Sequence, residues 1–190
     1  LTVGSLFAGI GGFDLGFERA GFEIKWQVEI DPFCRQVLAK HWPDVRRYED
    51  VRDVAGWGTQ IQGSSAERAQ YWLEPVDVIV GGFPCQDISF AGMGEGLAGA
   101  RSGLWHEFIR LVRELRPDWV VVENVAALVQ RGIDTILGDL ARSRFDAEWA
   151  VFGACALGAT LHRERIWILA YPDDAGLQGP IWAGQQSEAW

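Results

Sequence analysis

The sequence predicts an α/β fold, a doubly wound, Rossmann-like and mostly parallel sheet with an antiparallel terminal strand. Three observations carry this prediction. β-favouring apolar runs alternate with segments of helical period through the first two thirds of the chain. The last two apolar runs, 145–152 and 166–170, stand too close together for a helical crossover and are expected to lie antiparallel. Residue types able to do chemistry fall at the carboxyl ends of the earlier runs, where open α/β sheets bind ligands.

Residues 2–7 favour a strand, which breaks at Ala8-Gly9-Ile10-Gly11-Gly12. Residues 13–20 then place Phe13, Phe17 and Ala20 at helical spacing, up to a stop at Gly21. A second strand over 22–28 ends at Glu29-Ile30-Asp31, and Pro32 suits the first turn of a helix over 33–41. Residues 48–54 are short and acidic, and 56–69, rich in Gly, Ser and Gln without a period, read as a surface loop. A strand over 76–80 follows. Glycines 92, 94, 96, 99 and 103 then give 90–103 the composition of a mobile lid. Leu104, Phe108, Leu111 and Leu115 line one face of a helix over 102–116, which Pro117 ends before a strand at 119–122. Residues 133–141 are a further amphipathic helix.

The chain has 190 residues, 48% of them hydrophobic, enough for one well-buried domain. We place that domain at 1–171 and read 172–190, which has no period, as a loose tail. The net charge of -9 excludes a surface that grips phosphates throughout, so any nucleic-acid contact is local. Arg110, Arg113 and Arg116 read as a solvated helix face. Arg163 and Arg165 share one face of a strand, opposite Ile166 and Ile168, an arrangement suited to a carbonyl oxygen or a phosphate. No run approaches the ~20 apolar residues of a membrane span, and no basic region precedes a cleavable apolar segment, so a cytoplasmic protein is expected. Cys34, Cys85 and Cys155 form no C-x-x-C, so neither a disulfide frame nor a metal site is expected.

Two strand ends carry the chemistry. Gly81-Gly82-Phe83-Pro84-Cys85-Gln86 sets a thiol at the tip of the 76–80 strand, and Glu123-Asn124-Val125 delivers a carboxylate at the end of the 119–122 strand. A cysteine is most often a buried thiol, but Phe83-Pro84 before Cys85 and the glycine-rich segment after it are not what a core position needs. A thiolate adds well to an electron-poor conjugated carbon, and a nearby carboxyl group can hold or protonate a ring nitrogen, which suggests chemistry on a pyrimidine. The glycine turn at 8–12 allows close approach of a ligand, and Glu29 stands where an acid accepts from ribose hydroxyls. The spacing is not G-x-G-x-x-G and no second phosphate cradle follows, which favours a nucleoside cofactor without pyrophosphate. Asp50 is a candidate acceptor for an adenine amino group.

In this order the motifs resemble the 5-methylcytosine-forming DNA methyltransferase family, over essentially residues 1–170. FAGIGG at 7–12 is similar to the family's first cofactor motif, GGFPCQ at 81–86 to its nucleophile loop, and Ala100-Arg101-Ser102-Gly103-Leu104 to the segment closing that loop. Glu123-Asn124-Val125 looks like its ENV motif, and Arg163-Glu164-Arg165 its R-x-R strand. The resemblance implies an S-adenosylmethionine-dependent methyltransferase fold, with the cofactor held by Phe7, Ala8, Gly9, Gly11, Gly12, Glu29, Ile30, Asp50, Val51, Pro84 and Leu104. It implies that cytosine is flipped from double-stranded DNA, that Cys85 adds to carbon 6, and that Glu123 engages N3 and the exocyclic amine. Arg165 would hold the cytosine carbonyl oxygen, Arg163 would support Glu123 or a phosphate, and Asn124 would fix the strand end. The setting implied is restriction and modification of DNA.

Two departures stand out. Thr160-Leu161-His162 replaces the polar residue, often preceded by Pro, that the family carries ahead of its first arginine. The chain also shows no counterpart of the family's target-recognition domain or of its later motifs. Beside the catalytic reading we therefore set a truncated or degenerate remnant, a subunit of a split enzyme whose partner polypeptide recognises DNA, an RNA cytosine methyltransferase, and a non-catalytic interaction domain.

Overall fold

The structure, a computed structural model, describes residues 1–56, 71–84 and 103–174. Seven strands form one sheet in the order β3-β2-β1-β6-β7-β9-β8. They are β1 (Thr2–Leu6), β2 (Glu23–Val28), β3 (Arg46–Tyr48), β6 (Val78–Gly81), β7 (Trp119–Val125), β8 (Phe145–Gly153) and β9 (Glu164–Pro172). The pairs from β3 to β7 are parallel, whereas β9 runs antiparallel to both β7 and β8, so the expected fold class is the observed one. β4 (Ala55–Gly56) and β5 (Trp72–Leu73) form a separate parallel pair. The order reverses between β1 and β6, the switch point that opens a crevice beyond the strand ends.

Helices cover both faces. On one, Phe13 and Phe17 of α1 (Gly12–Arg19) pack with Val3, Ile24, Val78 and Val80. On the other, α3 (Leu104–Leu115) buries Trp105, Phe108, Ile109, Leu111, Val112 and Leu115 against Leu6, Ile79, Val120 and Val122. Each such side chain contributes roughly 1.5–3 kcal/mol on burial, so α3 is the main anchor of that layer. The short α4 (Leu128–Arg131) and α5 (Ile133–Arg142) extend it, the latter through Ile136 and Leu140. Both layers draw on β2 because its register with β1 shifts between Val3 and Gly4, and this bulge turns Ile24 to one face and Trp26 and Val28 to the other. Trp26 then lies so close over Gly4 that a β-carbon there would overlap its ring.

Three expectations change. The strand expected to stop at 122 continues to Val125, because Glu123, Asn124 and Val125 stay paired with Trp167, Ile166 and Arg165 of β9. Residues 46–48 are an edge strand that alternation in so short a run does not signal. Arg110, Arg113 and Arg116 are more than a solvated face: Arg113 and Arg116 are exposed, as expected, yet all three have protein partners. Arg110 reaches the backbone of Val51 and Val54, Arg113 binds the Ser143 hydroxyl at 2.8 Å, and Arg116 donates to the Ser143 carbonyl and lies 5.0 Å from the Phe145 ring centroid. Of the tail, Pro172 closes β9 and Asp173 pairs with Arg144 at 3.0 Å; residues 175–190 lie outside the described residues. So do Cys85, most of the expected lid and nearly all of the 56–69 loop.

Candidate active site at the carboxyl edge of the sheet

β1 ends in a turn that the backbone itself makes unusual. Phe7 has a left-handed φ of 53°, and Gly9 and Gly11 follow at 56° and 90°. Such a conformation costs a residue with a β-carbon about 1 kcal/mol or more, so the fold holds Phe7 there by other contacts: its ring stacks on Phe108 at 6.5 Å. The glycines divide the work. A β-carbon on Gly11 would lie 2.4 Å from the Trp42 ring, so Gly11 serves the packing of α1 against α2 (Pro32–His41). Gly9 and Gly12 face open space, and the Gly9 N–H donates to Glu29 Oε2 at 2.7 Å.

Glu29 therefore ties the first strand end to the second. Its other oxygen, Oε1, accepts from the Asp31 N–H at 2.8 Å, which leaves lone pairs on both oxygens for a ligand. Asp31 caps α2, accepting from the Phe33 and Cys34 N–H groups; those backbone bonds, Cys34's foremost, hold its carboxyl below the usual carboxylate range. Arg35, one turn into α2, donates Nη1 to the carbonyls of Glu29 and Ile30 at 2.9 and 2.7 Å and fixes the backbone between them. Nothing in the sequence singled out Arg35, because the contact depends on how α2 returns over its own N-terminus.

Between these ends lies a cavity of ≈ 370 Å³ lined by Phe7, Val28, Glu29, Ile30, Glu49, Asp50, Val51, Arg52, Pro84 and Leu104. Its volume is in the range that accepts a cofactor-sized ligand. Of the residues the resemblance implies for the cofactor, Ala8, Gly9, Gly11 and Gly12 are not among those lining it; Val28, Glu49 and Arg52 are additions. Asp50 accepts from Arg52 Nε at 2.9 Å, and that bond, working against partial burial, holds its carboxyl below the usual range. A recess of ≈ 460 Å³ around Glu18, Phe22, Glu23, Trp42 and Asp44 opens at the start of β2 instead, away from the residues that chemistry requires.

The residues expected to carry the chemistry lie one strand further on, on β7 and β9. The Glu123 carboxylate meets Arg165 Nε at 2.7 Å. The two are diagonal neighbours across an antiparallel ladder in which Glu123 faces Trp167 and Val125 faces Arg165. Arg165, rather than Arg163, is thus the guanidinium that supports Glu123; Arg163 precedes β9, is exposed, and makes no ion pair among the described residues. Glu123 also sits against the backbone that leads to Cys85: a β-carbon on Gly82 would lie 2.9 Å from its Oε2. Asn124 is buried, donates Nδ2 to the Phe83 carbonyl at 3.1 Å and accepts from the Val125 N–H at 2.8 Å. The loop leading to Cys85 is thereby pinned at Phe83, and Pro84 enters the cavity wall. Trp105, the second residue of α3, is in the core: its N–H donates to Asp139 Oδ2 at 2.8 Å and its ring packs on Phe108 and Phe83.

Residues 1–188 match the sequence profile of the C-5 cytosine-specific DNA methylase family. Among curated proteins the chain is 29% identical to the type II methyltransferase M2.BsuMI of Bacillus subtilis, over 90% of this chain and 42% of that protein. It is 32% identical to the type II methyltransferase M.AquIA of Picosynechococcus sp., over 87% of this chain and 69% of that protein. Among solved structures, a prophage-encoded E. coli protein assigned as a DNA modification methyltransferase superposes with a TM-score of 0.73 at 30% identity, over 95% of this chain and 49% of that one. The S. pombe Dnmt2 methyltransferase shares the fold, with a TM-score of 0.71 at 17% identity over 100% of this chain and 56% of that one. The chain thus spans about half, or less, of most of these relatives.

Proposed function

The chain belongs to the C-5 cytosine-specific DNA methylase family, and on that premise we propose that it is the cofactor-binding and catalytic part of a DNA (cytosine-5)-methyltransferase. The observation that carries this reading is the placement of Glu123. Its carboxylate is held by Arg165, lies against Gly82 of the nucleophile loop, and stands one strand from a cavity walled by Phe7, Glu29, Asp50 and Leu104.

The family's methyl donor is S-adenosylmethionine. The cavity fits it in kind: Glu29 keeps acceptor capacity for ribose hydroxyls, Asp50 offers an acceptor for the adenine amino group, and Phe7, Val51 and Leu104 supply apolar walls. Bound there, it supplies the methyl group that carbon 5 of cytosine takes up.

The chain's own residues prepare that carbon. The Cys85 thiolate adds to carbon 6 of a cytosine flipped out of duplex DNA, and the electron pair of the 5,6 double bond moves toward carbon 5 and the ring. Glu123 binds N3 and the exocyclic amine, stabilising the ring as charge collects on it, and Arg165 keeps the carboxylate aimed. After methylation a base takes the proton from carbon 5, the double bond re-forms, and Cys85 leaves as thiolate. Asn124 positions the nucleophile loop through Phe83. With a net charge of -9, we assign recognition of the duplex to a segment outside the described residues, in the same or a partner polypeptide. We place the protein in the cytoplasm with its DNA; no described helix is long and apolar enough to cross a membrane.

The test is transfer of labelled methyl from S-adenosylmethionine to mixed-sequence duplex DNA, with Cys85→Ala as control. Cys85-dependent incorporation is expected. Incorporation that persists in Cys85→Ala would refute the covalent scheme, and none from the unsubstituted chain, alone or with a co-expressed partner, would refute catalysis.

A further inference from the structure

We infer that Arg110 is a positioning residue for the cofactor cavity, holding the turn that carries Asp50 and Val51 at a fixed distance from α3. The inference rests on reading that cavity as the S-adenosylmethionine site. All three guanidinium nitrogens of Arg110 are engaged. Nε donates to Glu107 Oε2 at 2.7 Å, and Nη1 donates to Glu114 Oε1 and Oε2 at 3.0 and 3.2 Å. Nη2 donates to the carbonyls of Val51 and Val54 at 3.0 and 2.9 Å.

The two carboxylates lie one turn before and one turn after Arg110 on the same helix, so they fix the tilt of the guanidinium plane. Its far edge then reaches the backbone of a turn that lies outside the strand ladders and is closed locally by the Asp53 N–H to the Asp50 carbonyl at 3.1 Å and the Arg52 N–H to Asp50 Oδ1 at 2.9 Å. Glu114 adds a second tie, accepting from the Gly56 N–H at 2.8 Å. A β-carbon on Gly56 would come 2.8 Å from that of Glu114, so chain and helix are in full contact there.

The consequence follows from where α3 begins. Leu104, its first residue, lines the cavity, and Val51 lines it from the turn that Arg110 holds. One helix therefore sets two walls, and Arg110 fixes the spacing of the second. The Arg110 and Glu114 side chains are 32% and 18% exposed, so solvent weakens the ion pairs as a source of stability; the two carbonyl bonds carry geometry instead. A lysine ammonium keeps the charge between Glu107 and Glu114 but lacks the planar fork that spans both carbonyls.

The experiment compares Arg110→Lys and Arg110→Met with the unsubstituted chain by amide hydrogen exchange over 51–56, and by affinity for S-adenosylhomocysteine and for its inosine counterpart, which lacks the adenine amino group. Both variants are expected to exchange faster at 51–54 and to bind S-adenosylhomocysteine about tenfold more weakly, the equivalent of one lost bond to a charged group. They should also discriminate less between the two nucleosides, because the turn that carries Asp50 and Arg52 is no longer fixed against α3. A general loss of packing would lower both affinities in proportion and leave their ratio unchanged. Unchanged exchange, or an unchanged ratio, would overturn the inference. If the unsubstituted chain binds neither nucleoside, the cofactor reading itself fails and this role fails with it; the exchange data, which need no ligand, separate the two failures.

Discussion

Gly81 and Gly82 are adjacent, and replacing each by alanine is expected to do different damage. A β-carbon on Gly81 would lie 2.6 Å from the Leu6 carbonyl oxygen and 2.9 Å from the Phe108 ring. Neither can give: Leu6 is paired with Gly81 in the β1–β6 ladder, and Phe108 is fully buried. Relief requires the central strands to separate, so the cost falls at the upper end of overpacking, about 3 kcal/mol, which in a domain of this size lowers Tm by roughly 6–12 °C. On Gly82 the same atom would lie 2.9 Å from Glu123 Oε2 and 3.3 Å from the Glu123 carbonyl oxygen. The first of these is the end of a flexible side chain, and a displacement of about half an ångström restores ordinary contact at a cost under about 1 kcal/mol. That displacement strains the 2.7 Å contact with Arg165 and moves the carboxylate from the base. Methyl transfer should therefore fall by roughly 10- to 100-fold while the melting curve barely moves. Thermal unfolding and labelled-methyl incorporation, run on both variants, decide the matter. A Gly82→Ala protein with full activity would refute the placement of Glu123, and a Gly81→Ala protein with unchanged Tm would refute the rigidity of the central strands.

Asn124→Ala removes the bonds to the Phe83 carbonyl and the Val125 N–H and is expected to cost about 2–3 kcal/mol together with most activity. Asn124→Asp keeps the acceptor but not the donor, so a Tm between those of Ala and Asn checks the assignment by calorimetry. Glu29→Gln leaves one oxygen to serve two N–H groups and turns an amide donor toward the other, so S-adenosylhomocysteine affinity should fall about 10- to 100-fold by titration calorimetry; equal affinity would remove Glu29 from the site. Asp14 is fully buried, and burial raises its pKa despite the bonds from Gln27 and Ser5. A carboxyl raised in the folded state stabilises the fold fully below the unfolded value of 3.8 and loses that contribution as pH rises through the folded value. Asp14→Asn should accordingly improve Tm relative to the unsubstituted chain more at pH 8 than at pH 4, and a difference independent of pH would show that Asp14 is not the group responsible.

Much of the fold was legible because local rules and global packing agree at most elements. The Gly-rich turn, Pro32, Gly21 and Pro117 punctuate the chain where elements begin or stop, and the apolar stripe of 104–115 states which face of that helix is buried. Where the reading fell short, a distant partner decided the outcome. β7 runs three residues past its apolar core because β9 is there to pair with it. β3 exists because β2 offers an edge. The arginines of α3 follow the spacing of a solvated face and yet reach backbone and hydroxyl groups up to 59 residues away in sequence. The bulge in β2, which gives Trp26 to one core and Ile24 to the other, left no mark on the pattern of that strand.

The sequence by itself determined the alternation of strands and helices, the glycine turn, and the order in which Glu29, Asp50, Pro84 and Glu123 come to one edge of the sheet, since periodicity and punctuation are properties of neighbours along the chain. Only the tertiary structure decided that Glu29 ties Gly9 to Asp31, that Arg165 and not Arg163 meets Glu123, that Gly11 is a packing glycine while Gly82 is a clearance for a carboxylate, and that Trp105 belongs to the core. Each of these depends on contacts between residues brought together by strand register and helix docking, and register is fixed by the whole sheet at once.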